Sequence, residues 1–495
     1  MEQTATDTIA AVATPRGTGG IAVIRISGSG AFDAVEKIFR HKNKKYKSFR
    51  EIPPNTAAFG EITDGGKIID EGIAVKFKAP HSYTGEDVVE ISCHGGIYLT
   101  NAALKCAIEA GARLANPGEF TQRAYINGKI PLTGAEAVGR LIGAVNAAGA
   151  KVARAQSKGG LSRKVAEISE KIRRIVSEVY VYIDYPGEDL SDMTPALMLE
   201  RLIEINGELE NLKKSYGVGK VISDGIDCAI IGKPNTGKST LLNLLSQNDI
   251  AIVHGTPGTT RDIVTSRVNL GELTLNLHDT AGIRTTSDDI ENIGIDKAKS
   301  KIGGCGLIIG VFDINDINRE DENVLEILKR EYNDGKKIIA VLNKCDCVGA
   351  DDPVRPKNHV GFITRANNVR PYDGFFAGFD VKTLLISAKN NTALNADSAI
   401  VTAYGALKNC VENIYKLDNY DLDSGEILTE ERQYFEISGA CGNLDSAISA
   451  LQNGFTQDIA GLDLELALQN LDRCDSKSVS EDIVNMIFKN FCVGK

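Results

Sequence analysis

Apolar and polar positions along this chain change rhythm three times. Up to about residue 119, short β-rich runs at Ile9 to Thr14, Gly20 to Ser27, Gly72 to Phe77 and Val88 to Cys93 alternate with helical patterns near Ala31 to Arg40 and Tyr98 to Ala110. That alternation predicts a small α+β domain. From Phe120 to about Tyr216 the period lengthens into helices, including Ala135 to Ala148 and Ser162 to Ile183, and predicts a helical bundle. Near Gly217 to Gly225 it shifts again, and strands alternate with helices up to about Lys389, the order of an α/β domain. Helical periodicity returns from Ala396 to Lys495, with an apolar comb at Leu462, Leu464, Leu466, Leu468 and Leu471 and a last helix from Ser480 to Phe491. Two helical stretches flanking an α/β unit predict one bundle interrupted by an insertion. The expected division is 1–119, 120–216, 217–390 and 391–495, with the second and fourth parts forming one helical domain.

A chain of 495 residues with 42% hydrophobic content exceeds one ordinary core, in keeping with such a division. Its 56 basic and 66 acidic residues leave a net charge of -10, which argues against a surface coated in positive charge and leaves room for a local basic face. The first twenty residues lack a basic region followed by an apolar stretch, and no apolar run reaches the roughly 20 residues that cross a bilayer. A soluble cytoplasmic protein is expected. Ten cysteines without CxxC spacing, several inside apolar runs (Cys106, Cys228, Cys305), predict reduced, buried thiols, and six dispersed histidines form no zinc pattern.

Chemistry concentrates in the α/β stretch. The apolar strand Ile226 to Ile231 runs into Gly232-Lys233-Pro234-Asn235-Thr236-Gly237-Lys238-Ser239 and then the helical Thr240 to Leu245, a phosphate-binding loop in its strand-to-helix setting. Glycines let backbone N–H groups close around phosphate oxygens, and the helix N-terminus adds partial positive charge. Lys238 is expected to reach the outer phosphates and Ser239 to ligate Mg2+. Asp279-Thr280-Ala281-Gly282 closes the strand Leu273 to His278, which puts Asp279 near the metal and the Gly282 amide near the γ-phosphate. Asn343-Lys344-Cys345-Asp346 follows the strand Lys337 to Leu342, and Ser387-Ala388-Lys389 follows Thr383 to Ile386. The Asp346 carboxylate can accept two N–H bonds from guanine, a demand adenine cannot meet, so the ordered set points to GTP.

Hydrolysis needs a further device, because Ile283 follows Gly282 where Ras-like proteins carry a water-orienting glutamine. Gly258-Thr259-Thr260-Arg261-Asp262 follows His254-Gly255-Thr256-Pro257, and Thr260 is placed to complete the Mg2+ shell. Asn235 offers a side-chain carbonyl in the phosphate loop, which points to a monovalent cation neutralising charge as an arginine finger would. Asp288, Asp289, Glu291 and Asp296 are all candidates for orienting water, and a solvated acidic helix face accounts better for most of them.

Nearly the whole chain resembles one family, the tRNA-modification GTPases called MnmE or TrmE. The resemblance rests on Asp7-Thr8-Ile9-Ala10-Ala11, Gly19-Gly20-Ile21, Arg25-Ile26-Ser27-Gly28, Tyr83-Thr84-Gly85-Glu86-Asp87, Pro117-Gly118-Glu119-Phe120-Thr121, Asn127-Gly128-Lys129 and Phe491-Cys492-Val493-Gly494-Lys495. It implies a multidomain α/β protein: an α+β folate-binding and dimerising domain, then an α-helical bundle into which a Ras-like P-loop GTPase domain is inserted. It implies a homodimer that works on tRNA with an FAD-dependent MnmG-type partner, as a heterotetramer, to form a 5-carboxymethylaminomethyl-type group on the wobble uridine. It places a 5-formyltetrahydrofolate or related site at Arg25, Glu90, Lys129 and Lys495, and potassium at Asn235, His254, Thr256 and Thr259. It also assigns catalytic roles to Glu291 and, with a structural thiol as the alternative, Cys492.

Pro131-Leu132 stands where the family has Asp-Leu, Cys474 to Ser480 lacks a glycine-rich stretch, and 349–380 is a polar insertion. Two other classes stay open at this level: a ribosome-assembly GTPase switch, and a folate-dependent one-carbon enzyme with a regulatory GTPase. The basic cluster from Lys151 to Arg174 is the candidate RNA-facing helix, with a solvated bundle face as the equal alternative.

Overall fold

The computed structural model describes residues 7–184, 194–248, 264–278, 302–347, 376, 381–394, 400–475, 481–489, 491, 493 and 494. The chain divides into two units, one of Met1–Ile142, Arg154–Leu209 and Phe435–Lys495, the other of Gly143–Ala153 and Glu210–Tyr434.

The first unit contains strands β1 (Ile9–Val12), β2 (Ile21–Ser27), β3 (Phe39–His41), β4 (Ala57–Asp64), β5 (Lys67–Phe77), β6 (Val88–His94) and β7 (Arg113–Leu114) in the order β3-β4-β5-β6-β2-β1-β7. All pair antiparallel except β1 with β7. Strand alternation decides what each face does. Ala22, Ile24 and Ile26 of β2 and Val89, Ile91 and Cys93 of β6 are buried with helices α1 (Ala31–Ile38) and α2 (Ile97–Glu109) in one core. The intervening Arg25 and Glu90, register partners on neighbouring strands, therefore share the opposite face.

Strands β3, β4 and β7, and the first part of β5, lie outside the expected strand runs. Phe39 and Arg40, read as the tail of a helix, turn extended with His41 and pair with β4, and β4 forms a hairpin with β5 across Gly65 and Gly66 at φ 53° and 90°. The Asp64-Gly65-Gly66 turn was the available signal; the half-exposed Ile68, Ile69 and Asp70 hid the strand that follows it.

Helices α3 (Glu119–Ile126), α4 (Leu132–Gly143), α5 (Ala147–Ser157), α6 (Gly160–Asp184) and α7 (Pro195–Asp224) follow. The single helix expected from Ala135 to Ala148 breaks in two because the Asn146 Oδ1 accepts the Gly149 N–H at 2.6 Å, an N-cap that starts α5. In the opposite sense, α7 continues through Gly217 and Gly219, where a break was expected. A Cβ at Gly219 would lie 1.9 Å from the Leu428 carbonyl oxygen, so this glycine permits close packing rather than ending the helix.

The second unit carries β8 (Ile226–Ile231), α8 (Lys238–Asn248), β9 (Val264–Leu270), β10 (Leu273–His278), β11 (Leu307–Asp313), α9 (Glu320–Asn333), β12 (Lys337–Asn343), β13 (Lys382–Ser387), β14 (Thr392–Leu394), β15 (Ile400–Val401) and α10 (Ala403–Tyr415). The sheet order is β15-β14-β13-β12-β11-β8-β10-β9, parallel from β13 to β10 and antiparallel at both edges. Alternate residues of the same strands enter two cores: Ile230, Val311 and Val341 on one side, Ala229, Phe312 and Leu342 on the other. Both faces are covered, as parallel sheets require. Strand β8 lies between β10 and β11, so the loop after β8 opens where the winding of the sheet reverses, the usual ligand position in such sheets.

The chain then forms α11 (Glu431–Gln452), α12 (Gln457–Asp475) and α13 (Glu481–Lys489). Helix α12 packs on α6, burying Ala460, Leu464, Ala467 and Leu471. That stripe has helical spacing, so Leu462 and Leu466 of the apolar comb remain exposed.

Candidate functional sites

The phosphate loop joins β8 to α8, and two of its glycines are dictated by neighbours. A Cβ at Gly232 would stand 2.3 Å from the Val311 carbonyl oxygen, and one at Gly237 would stand 2.1 Å from the Asn343 Nδ2. Thr236 is fully buried and its hydroxyl donates to the Lys233 carbonyl at 3.1 Å. The Lys238 ammonium donates to the Gly232 and Lys233 carbonyls at 2.7 and 2.6 Å, and burial pushes its pKa below the ordinary lysine value. Desolvated in this way, the cation gains from meeting a phosphate. Ser239 and Thr240 are exposed in the first turn of α8, and Asn235 is exposed at φ 62°. Gly237→Ala should lower guanine-nucleotide affinity at least about tenfold, because a strained backbone costs about 1–3 kcal/mol and Asn343 must move. Titration with a fluorescent GDP analogue checks this; unchanged affinity would contradict the geometry.

The other two motifs converge on the same edge. Asn343, 3% exposed at the end of β12, donates through Nδ2 to the Thr236 carbonyl at 2.9 Å and accepts the Ala388 N–H on Oδ1 at 3.0 Å. One side chain thus joins the phosphate loop, the Asn-Lys-x-Asp turn and the Ser-Ala-Lys turn. Lys344, at φ 65°, reaches Asp313 at 2.6 Å. Burial alone would raise the Asp313 pKa, but the Lys344 ammonium and the Asn315 amide hold it below the ordinary value. The exposed Asp346 accepts from the Asn390 Nδ2 at 3.1 Å, and the buried Ser387 hydroxyl accepts the Asn390 N–H at 3.3 Å. Lys389 is exposed beside them. His254 to Thr260, Asp279 to Gly282 and Glu291 lie outside the described residues.

Sequence reasoning missed two supports. Lys233, a variable position of the loop motif, is buried and bonded to Asp321 at 2.9 Å and Asp316 at 3.1 Å, which fixes the loop from behind. Asp313, which holds Lys344, carried only a strand-end aspartate as its signal.

A second constellation lies on the other face of the first unit's sheet, beneath Phe120. Arg25 pairs with Glu90 at 2.8 Å, donates to the Gly494 carbonyl at 3.2 Å, and sits over the rings of Tyr83 and Phe120 at 5.4 and 5.6 Å. Burial raises the Tyr83 pKa, and its hydroxyl shares a 2.8 Å hydrogen bond with Thr121. Lys129 donates to the Pro80 carbonyl at 2.9 Å, on the segment that carries Tyr83. A Cβ at Gly494 would approach the Val12 carbonyl to 2.2 Å, so glycine is required where the Phe-Cys-Val-Gly-Lys segment meets β1. Arg25, Glu90 and Gly494 come together; Cys492 and Lys495 lie outside the described residues. Beneath them Arg123, 4% exposed, binds Asp7, Glu86 and Glu119 at 2.6, 3.1 and 3.0 Å.

The thiols behave as the apolar runs implied. Cys93, Cys106, Cys228 and Cys305 are buried thiols outside any disulfide, and burial pushes Cys93 and Cys305 up to about 11.

Residues 8–129 match the family model described as the GTP-binding protein TrmE N-terminus, and residues 132–492 match the MnmE helical domain. The tRNA modification GTPase MnmE of Acetivibrio thermocellus is 36% identical over 99% of this chain and 99% of its own length. The protein of the same name from Clostridioides difficile is 35% identical with the same coverage. A solved GTP-binding protein from Sulfolobus solfataricus in complex with GDP aligns at 17% identity and TM-score 0.23, covering 51% of this chain and 67% of that one, too low to bear on the fold. With relatives at that identity matched end to end, the chain belongs to the MnmE family of tRNA-modification GTPases.

Proposed function

We propose that this protein hydrolyses GTP to drive modification of the wobble uridine of tRNA, as a cytoplasmic homodimer working with a flavin-dependent MnmG-type partner. The observation that carries the nucleotide part is the Asn343 bridge, which couples the phosphate loop to the two turns that frame guanine. In this reading 1–119 binds folate and dimerises, 120–216 and 391–495 form the helical part, and 217–390 is the GTPase. No helix among the described residues is long and apolar enough to cross a membrane.

Lys238 and the loop amides hold the triphosphate, and Asp346 reads the base. Ser239 and Thr260, with Asp279, would hold magnesium, whose charge would neutralise the outer phosphates; the exposed Ser239 hydroxyl in the first turn of α8 fits that role. Potassium would be held by Asn235, His254, Thr256 and Thr259; the exposed side-chain carbonyl of Asn235, within the phosphate loop, suits a hard cation. Arg25, Glu90, Lys129 and Lys495 would hold the folate, whose carboxylates and N–H edges match a guanidinium and a carboxylate held against two rings. Cys492 is the candidate nucleophile beside that ligand.

Glu291 orients the attacking water, so Glu291→Ala should slow GTP turnover about a hundredfold or more while nucleotide affinity stays within about twofold. Phosphate release and nucleotide titration on the same preparation test both halves; normal turnover would remove Glu291 from the mechanism. Replacing potassium by sodium should lower the rate, and equal rates in the two salts would refute the cation site. Mass spectrometry of wobble uridines in cells lacking the protein tests the whole reading, which an unaltered modification pattern would reject.

A further inference from the structure

In a chain of net charge -10, six of the eleven residues from Arg40 to Arg50 are lysine or arginine and none is acidic. We infer that this segment, with the cavity beside it, is a docking surface for the phosphate backbone of RNA. The choice of RNA rests on the proposed tRNA function.

Four of the six cations are unspent. Lys42 pairs with Glu61 and Glu71, and Arg50 pairs with Asp33, but Arg40, Lys44, Lys45 and Lys47 are exposed and form no ion pair among the described residues. The segment is held in shape by other groups. The Lys42 N–H continues the β3-β4 ladder to the Phe59 carbonyl at 2.9 Å, and the Asn43 Oδ1 accepts the Lys45 N–H at 3.0 Å. Glu36 accepts the N–H groups of Phe49 and Arg50 at 3.3 and 3.1 Å. Below, the buried Lys76 ammonium donates to the Phe49 and Arg50 carbonyls. The nearby carboxylate and the buried ammonium are thus occupied with backbone, and the free cations stand on an ordered frame.

Arg40, His41, Lys44, Tyr46 and Lys47 help line a cavity of about 390 Å3, a volume within the range of small-ligand sites. Tyr46 is half-buried against the sheet core, with the Lys45 ammonium 5.4 Å from its ring. Cations around an aromatic wall form the usual surface for a phosphate chain. No large apolar side chain between Arg40 and Lys47 is exposed, as insertion into a lipid surface would require.

At least half of the rival cluster expected to face RNA is neutralised. Lys164 and Lys171 share Glu208, Arg173 pairs with Asp472, and Arg174 pairs with Glu170. A phosphate chain meeting those four must displace bonded carboxylates; at Arg40, Lys44, Lys45 and Lys47 it displaces only water and counterions.

The test is titration of the full chain with end-labelled, unfractionated tRNA across a series of potassium chloride concentrations. R40Q/K44Q/K45Q/K47Q should weaken binding at least about tenfold and flatten the slope of log affinity against log salt by about 3, four contacts at about 0.7–0.9 each. R173Q/R174Q should change both far less. The quadruple variant should melt with the unaltered protein, because every changed side chain is exposed. Equal salt slopes, an equal loss in R173Q/R174Q, or no salt-dependent tRNA binding by the unaltered protein would each overturn the inference. So would a loss of binding confined to phosphatidylserine vesicles, which would assign the surface to lipid. Guanine-nucleotide affinity, measured alongside, reports on the GTPase reading independently of the tRNA result.

Discussion

Asp346→Asn should exchange the preferred base from guanine to xanthine. Guanine presents two N–H donors, at N1 and the 2-amino group, to a carboxylate that accepts both. Xanthine keeps the N1–H but replaces the amino group with a carbonyl, and an amide answers it with one acceptor and one donor. Hydrogen bonds to a charged group are worth about 1.5–3 kcal/mol each, so loss of one or both should weaken GTP binding about a hundredfold. Competition of GTP, XTP and ATP against a fluorescent nucleotide reads the change. Retention of guanine preference by the variant would show that Asp346 does not face the base, and absence of guanine preference in the unaltered protein would end the GTPase reading. Because Asp346 is exposed, the fold should not suffer.

Arg123→Met should give the largest stability loss in the first unit. The guanidinium is buried with Glu119, 5% and 8% exposed at the side chain, and removing it leaves carboxylates facing each other in low dielectric. Breaking a buried pair in this way costs about 3–5 kcal/mol. The pH dependence follows from the partners. Burial alone would raise the pKa of Glu119 and of Asp7, but hydrogen bonds from Arg113 and Arg123 outweigh it and hold both below their ordinary values of 4.5 and 3.8. Depressed folded-state values contribute stability above those ordinary values and lose it as pH falls through them toward the folded-state ones. The gap between the two proteins is therefore widest near neutrality and narrows below about pH 4.5. Hydrogen exchange of β1 and α3 amides at neutral and acid pH measures it; equal protection at neutral pH would mean that the network adds nothing.

What could be read before the structure depended on whether the chemistry was contiguous. Gly232 to Ser239, Asn343 to Asp346 and Ser387 to Lys389 are each one turn of chain, so spacing alone carries their meaning. Arg25 and Glu90 were legible only through family resemblance, since they meet as cross-strand partners 65 positions apart. Lys233 gave no sign of its partners because Asp316 and Asp321 lie beyond three intervening strands. Strand β3 was misread for a similar reason: its extended form comes from pairing with β4, not from local preference. The neutralisation of Lys164 and Arg173 was equally invisible, set by acids on other helices.

The seam between α6 and α12 closes an unusually wide gap in the chain, since Arg173 and Asp472 meet at 2.9 Å across 299 positions. The entropy of closing so long a loop grows only logarithmically, about 0.6 kcal/mol for each doubling, so lengthening the intervening segment is thermodynamically cheap. The same seam makes a severed backbone survivable. A single proteolytic nick between Glu210 and Tyr434 would leave two fragments still clasped along α6 and α12, separating only in denaturant.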